Sequence, residues 1–153
     1  MKVIFLDIDG VLNNQDHIVK LIELLGETQY SQLIKDLGEI PFDYRSCELL
    51  QKLINETKAK VILSSTWRIN PKLIKGIEKY AKIKIQDITP RLYDIRGKEI
   101  QQYLDNHKEI TEYVILDDDD DMLEEQMKYF VKVNNKIGLT IKEIIQCENI
   151  LNT

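Results

Sequence analysis

Chemistry-bearing side chains recur in this sequence at one kind of place, the point where an apolar run stops. The run Val3 to Leu6 ends in Asp7-Ile8-Asp9-Gly10. Residues two apart on a strand point to the same side, so Asp7 and Asp9 can aim at one point, and Gly10 permits a sharp exit of the backbone. Two acids converging on one point call for a cation. The run Val61-Ile62-Leu63 switches abruptly to Ser64-Ser65-Thr66-Trp67-Arg68. Small hydroxyls and free amides at a strand end can bind phosphate oxygens, and Arg68 offers a planar fork suited to them. Tyr113 to Leu116 runs into five acids, Asp117 to Asp121. Between these segments, Arg91, Arg96 and Lys98 lie at or before the start of a helical stretch. Anions bind at that end, and basic side chains oppose the helix dipole there, so a bound anion would help to explain them. Each segment also has a bland reading: an Asp-Gly turn, a Ser/Thr cap with a surface Arg, a solvated acidic loop. The same placement repeated along the chain favours the other reading, which in outline is a phosphoryl-transfer site.

The elements that must position these residues follow from periodicity. Strands rich in β-branched and aliphatic residues are expected at 3–6, 61–63 and 113–116, with weaker ones at 83–88 and 129–133. Helical spacing appears at Ile18 to Leu25, ending near Gly26, and at Tyr30 to Leu37, stopped by Gly38 and Pro41. A helix with Cys47, Leu50, Leu53 and Ile54 on one face is expected to be capped by Ser46. Asn70-Pro71 opens a helix carrying Leu73, Ile74, Ile77, Tyr80 and Ala81. Another carries Ile100, Tyr103, Leu104 and His107. Thr140 and Glu143 form a capping box for a last helix packed through Ile141, Ile144 and Ile145. Alternating strands and helices indicate a three-layer, Rossmann-like α/β domain, its sheet mostly parallel and its helices on both faces. Ligands in such folds bind at the carboxyl ends of the strands. The acids and hydroxyls all fall at that edge.

The 153 residues suffice for one domain with a real core. A net charge of −5 argues against a broadly basic nucleic-acid face, though local patches remain open. The lysines at 72, 75, 79 and 82 read as the solvated side of an amphipathic helix. No run approaches the roughly 20 apolar residues that span a bilayer. Cys47 and Cys147 match no metal-ligand spacing and read as reduced, partly buried thiols, which fits a cytoplasmic setting. His17 reads as a solvated loop residue rather than a ligand, and His107 as structural.

Taken together, Asp7-Ile8-Asp9-Gly10, Ser64 at a strand end, a basic residue before a helix, and Asp117-Asp118 resemble the four motifs of the haloacid dehalogenase-like (HAD) phosphohydrolase superfamily. More narrowly, Asp9-Gly10-Val11-Leu12-Asn13, the run 64–68, Arg96-Gly97-Lys98-Glu99-Ile100, Ile115-Leu116-Asp117-Asp118 and Gly138-Leu139-Thr140 look like the HAD domain of "Swiss army knife" RNA-repair proteins. The resemblance covers nearly the whole chain.

It implies a single HAD-like domain over 1–153, with a small helical cap inserted at about 13–43. It implies catalysis by Asp7 as nucleophile and Asp9 as general acid and base, with Mg²⁺ held by Asp7, Asp118 and the Asp9 carbonyl, and Asp117 ordering the shell. Ser64 and the Ser65 amide would hold the phosphate. The third motif usually carries a Lys; here Arg96 takes its place, with Lys98 close enough to compete. Trp67 and Arg68 are candidate substrate contacts, the indole offering a face for a nucleobase, while core packing remains open for it. Of Asp119 to Asp121, Asp121 is the outer contributor. A small cap implies an open site, suited to a phosphate at the end of a polynucleotide and compatible with nucleotides or phosphoproteins.

Two other classes compete. One is a catalytically idle HAD-fold binding or regulatory module, whose cheapest signature, loss of the first Asp, is missing. The other is a receiver domain, in which the mid-chain strand would end in the phosphorylated Asp rather than in serines. No Gly-x-x-x-x-Gly-Lys-Ser/Thr loop is present, so kinase or ligase steps would fall to separate partners.

Overall fold

A computed structural model describes residues 1–35 and 42–153. The chain builds a five-stranded sheet from β1 (Lys2–Leu6), β2 (Lys60–Leu63), β3 (Ile85–Ile88), β4 (Glu112–Asp117) and β5 (Phe130–Lys132), in the order β3-β2-β1-β4-β5. All four pairings are parallel. The helices are α1 (Gln15–Leu25), α2 (Glu27–Lys35), α3 (Tyr44–Thr57), α4 (Pro71–Ala81), α5 (Arg96–Asn106) and α6 (Ile141–Leu151), with 3₁₀ turns at Thr66–Ile69 and Glu124–Tyr129. This is the three-layer α/β arrangement expected from the alternation of elements.

Strand side chains alternate between the faces, and each face has its own core. Ile4, Leu6, Val61, Leu63, Val114 and Leu116 pack with Leu50 and Leu53 of α3, Ile77 and Ala81 of α4, and Ile144, Cys147 and Leu151 of α6. Val3, Phe5, Ile62 and Ile115 pack with Ile100 and Tyr103 of α5. Phe5 meets Tyr103 edge-on at 5.8 Å. Strands this apolar on both sides are what a parallel sheet covered by helices requires.

The register decides what stands at the carboxyl edge. Leu6 lies opposite both Leu63 and Leu116, so the residues that follow, Asp7, Ser64 and Asp117, form one row. The backbone confirms it: Asp7 N donates to Leu116 O at 2.9 Å, and Ser64 N to Leu6 O at 3.0 Å. By strand alternation, Asp7, Ser64 and Asp117 belong to the face of Phe5, Ile62 and Ile115. That face is the one α5 covers, so the start of α5 meets the acids.

Several local expectations are corrected. Ser46 lies inside α3, which begins at Tyr44 after Asp43; its hydroxyl donates to Asp43 Oδ2 at 2.9 Å. The last helix packs through Ile144, Cys147 and Leu151, while Ile141 and Ile145 are exposed, because the 3.6-residue period selects 144, 147 and 151 as one stripe. Both cysteines are buried, and burial pushes each thiol up to about 12. The caps at Asn70-Pro71 and at Thr140 with Glu143 are as expected. Between α1 and α3, α2 starts at Glu27; the anticipated stop at Leu37, Gly38 and Pro41 lies outside the described residues. Among the described residues, no helix is long and apolar enough to cross a membrane.

Candidate active site

The row at the carboxyl edge brings three carboxylates together. Asp7, Asp117 and Asp118 each place an oxygen within 4.8 Å of the others. Gly10 makes room for the third: a Cβ there would lie 2.5 Å from Asp118 Oδ2, and its φ of +81° suits glycine. Burial pushes the Asp7 carboxyl up to about 6, against the pull of Arg96, with Asp118 adding repulsion. Burial and the neighbouring Asp7 push Asp117 further, to about 8. Such a cluster could hold a cation. A hard divalent ion fits an all-oxygen donor set of this kind.

Arg96 supplies positive charge from the protein itself. Its Nη1 donates to Asp7 Oδ1 and to Asp117 Oδ2, each at 3.2 Å. Burial works against its charge, but Asp117, Asp7 and Asp121 more than offset that. Asp121 also fixes the backbone, its Oδ2 accepting from Arg96 N at 3.0 Å and its carbonyl from Gly97 N at 3.1 Å. The next residue must be small: a Cβ on Gly97 would stand 2.5 Å from Leu123 N. Lys98, the alternative for the third motif, points elsewhere and pairs with Asp94 at 2.9 Å on the surface. Two positions on a helix differ by about 200°, so only one of the two can face the acids.

Ser64 is fully buried beside Asp7, and its hydroxyl has no hydrogen-bond partner. An unpartnered buried hydroxyl costs free energy unless a ligand completes it. Ser65, also buried, caps the turn at 66–69 by accepting from Trp67 N at 3.2 Å.

Asp9 is exposed and stands apart from the carboxylate triad. Two donors hold it: Asn13 Nδ2 on Oδ1 at 2.8 Å, and the Trp67 indole N–H on Oδ2 at 3.0 Å. Trp67 packs against the core and lies 5.7 Å from the Phe42 ring. Its polar edge therefore serves Asp9, where a stacking role had been one expectation. Tyr30 of α2 comes near the same place: burial and the Asp9 carboxylate both raise its hydroxyl above the ordinary value.

Arg68 corrects the expectation of a substrate contact. All five of its N–H donors are used internally: Nε on Thr89 O, Nη1 on Ser64 O and Ser65 O, and Nη2 on Pro90 O and on Glu99 Oε2 at 2.6 Å. Glu99 gives its other oxygen to Leu92 N at 3.0 Å. The pair is almost fully buried and ties the ends of β2 and β3 to α5. Asn13, Tyr30 and Glu99 were thus missed as site residues. Asn13 and Glu99 stand inside the quoted motifs, but nothing local shows where they point.

A family model described as the HAD domain in Swiss Army Knife RNA repair proteins matches residues 3–144. The chain belongs to this family. No curated protein and no solved structure matches it. Membership points to phosphohydrolase-type chemistry, with which the acidic cluster is compatible.

Two measurements check this geometry. Glu99→Ala leaves Arg68 charged and buried without its partner, which costs about 3–5 kcal/mol; urea denaturation should show a loss of that order, with Glu99→Gln losing less. Asp7 and Asp117 hold protons in the fold that the unfolded chain, with values of 3.8, has already released. Stability of the metal-free protein should therefore fall as pH rises from about 4 to about 8. In EDTA the melting temperature should drop between pH 5 and pH 8. Excess Mg²⁺, which takes ionised carboxylates, should oppose that drop increasingly with pH, and Asp117→Asn should flatten it.

Proposed function

We propose that the chain is a Mg²⁺-dependent phosphomonoesterase working through an aspartyl-phosphate on Asp7, with phosphorylated nucleic-acid ends or nucleotides as substrates. The observation that carries this reading is the row Ser64, Asp7, Asp117. It sets an unpartnered buried hydroxyl beside a carboxylate that is already paired with Arg96. A phosphoryl group seated there completes the Ser64 hydrogen bond and meets the Ser65 amide and Arg96.

One oxygen of Asp7 attacks phosphorus while the bond to the leaving oxygen breaks. Asp9 protonates the leaving oxygen, then takes a proton from the water that attacks phosphorus, releasing phosphate and freeing Asp7. Asn13 and Trp67 hold the Asp9 carboxylate to one orientation for both transfers. Arg96 offsets charge on Asp7 and on the phosphoryl oxygens; Asp117, bonded to Arg96 and to the Asp119 amide, keeps that guanidinium in place. Mg²⁺ bound by Asp7, Asp118 and the Asp9 carbonyl would supply further positive charge to the phosphoryl oxygens. The cytoplasm, a reducing compartment rich in Mg²⁺ and nucleotides, is the setting that suits this chemistry.

The test is phosphate release with and without Mg²⁺ from an aryl phosphate, nucleotides, and oligonucleotides phosphorylated at the 3′ or the 5′ end. Metal-dependent release that Asp7→Asn abolishes is expected. No release from a folded protein whose melting temperature ignores EDTA would favour an idle binding module. Trp67→Phe keeps the ring and removes the donor to Asp9. It should lower kcat by about tenfold, part of the 10²–10⁴ that general acid–base catalysis contributes. The loss should be larger for poor alkyl leaving groups than for nitrophenyl phosphate, a dependence that a packing defect would not produce.

A further inference from the structure

Beside Arg96, the edge of the site opens into a recess of about 230 Å³ that Thr66, Arg91 and Tyr93 also line. Its acids are committed: Glu99 to Arg68 and the Leu92 amide, Asp94 to Lys98, Asp121 to the backbone of Arg96. Arg91 has no carboxylate partner among the described residues. Its guanidinium lies over the Tyr93 ring, 4.5 Å from the centroid.

Tyr93 is an unusual choice on two counts. Its φ of +57° is left-handed, a conformation that costs a non-glycine residue free energy. The other non-glycine residues of this kind among those described, Lys58 and Lys82, are helix C-caps, where it is common. Tyr93 is no cap, and the residue is 84% exposed, so the fold gains little packing from the ring. The loop is nonetheless held firmly at Leu92 by Glu99. A strained, anchored loop thus presents an open aromatic face and an unpaired guanidinium next to the residue that contacts Asp7.

We infer that Arg91 and Tyr93 form a nucleotide subsite, Tyr93 stacking on the base nearest the scissile phosphate and Arg91 pairing with the adjoining phosphodiester. The ring face suits any base, and the guanidinium suits a phosphate oxygen. The occupant is an oligonucleotide, since a mononucleotide has no second phosphate for Arg91. This inference rests on the phosphatase reading for its kinetic arm only.

Tyr93→Gly is the informative variant, because it removes the ring while relieving the backbone, so its melting temperature should hold or rise. Arg91→Ala and Tyr93→Phe accompany it. In the full chain with Mg²⁺, the ratio of kcat/KM for a terminally phosphorylated trinucleotide to that for nitrophenyl phosphate should fall roughly tenfold to hundredfold in Tyr93→Gly, the range expected for loss of one stacked base. It should fall in Arg91→Ala and recover in Tyr93→Phe. Fluorescence anisotropy with a labelled, unphosphorylated oligonucleotide should show the same order of binding. Ratios within twofold of wild type in both Tyr93→Gly and Arg91→Ala would overturn the subsite and leave the phosphatase reading standing, as would a preference for phosphopeptides. If no phosphate is released from any substrate, that reading falls and anisotropy alone decides: weakened binding in the variants supports the subsite, and equal binding overturns it.

Discussion

Three carboxylates held within a few ångströms, two of them buried, set the terms for everything around them. Asp7 and Asp117 are brought to the rim by register: β1 and β4 end level, and the residue after each last leucine carries an acid on the same face. Asp118 then enters past Gly10. The price is visible in the upward shift of both buried carboxyls. Arg96 offsets part of it, and a divalent cation is the natural complement for the rest. Buried carboxyls shifted in this way are a cost in stability of the kind commonly found at functional sites.

Arg96 is set against the acids by a second, buried arrangement. Arg68 gathers carbonyls from Ser64, Ser65, Thr89 and Pro90, and Glu99 joins that knot to α5 and to the loop before it. Strand ends normally leave carbonyls without ladder partners. Here one guanidinium satisfies four of them at once and sets the loops after β2 and β3 against the helix whose first residue enters the site. A lysine in its place could not satisfy this geometry, having three donors and no planar fork.

What was legible in the sequence follows from this division. The rim was readable because a buried parallel strand is a continuous apolar run, and its abrupt end in Asp or Ser marks both the edge and the chemistry. The α/β layers were readable for the same reason. Direction was not. Trp67 and Arg68 stand one residue apart in a polar run, and their types fit substrate contact as well as packing. Their actual partners, Asp9 and Glu99, lie 58 and 31 residues away. The choice between Arg96 and Lys98 was decided by where α5 meets the sheet, which residue type alone does not reveal. At Ser46 the error was one of rank, since Asp43, three residues earlier, opens the helix and takes the serine hydroxyl as well.

The described residues between β1 and α3 bear on how exposed the edge is. Neither α1 nor α2 has a buried residue, so these helices do not build a second core of their own. Yet Tyr30 comes near Asp9, the exposed one of the acids proposed to react. Asp7 and Asp117 are buried at the strand ends, while Asp9 is exposed to water. That division would suit the two demands of the reaction proposed above. The nucleophile has to be desolvated so that its charge counts, because electrostatic interactions weaken steeply in water. The acid and base has to exchange protons with a leaving oxygen and then with water, and a group sealed under a thick cap would lose the second partner. An exposed carboxylate tethered by Asn13 and Trp67 would meet both demands of the proposed reaction.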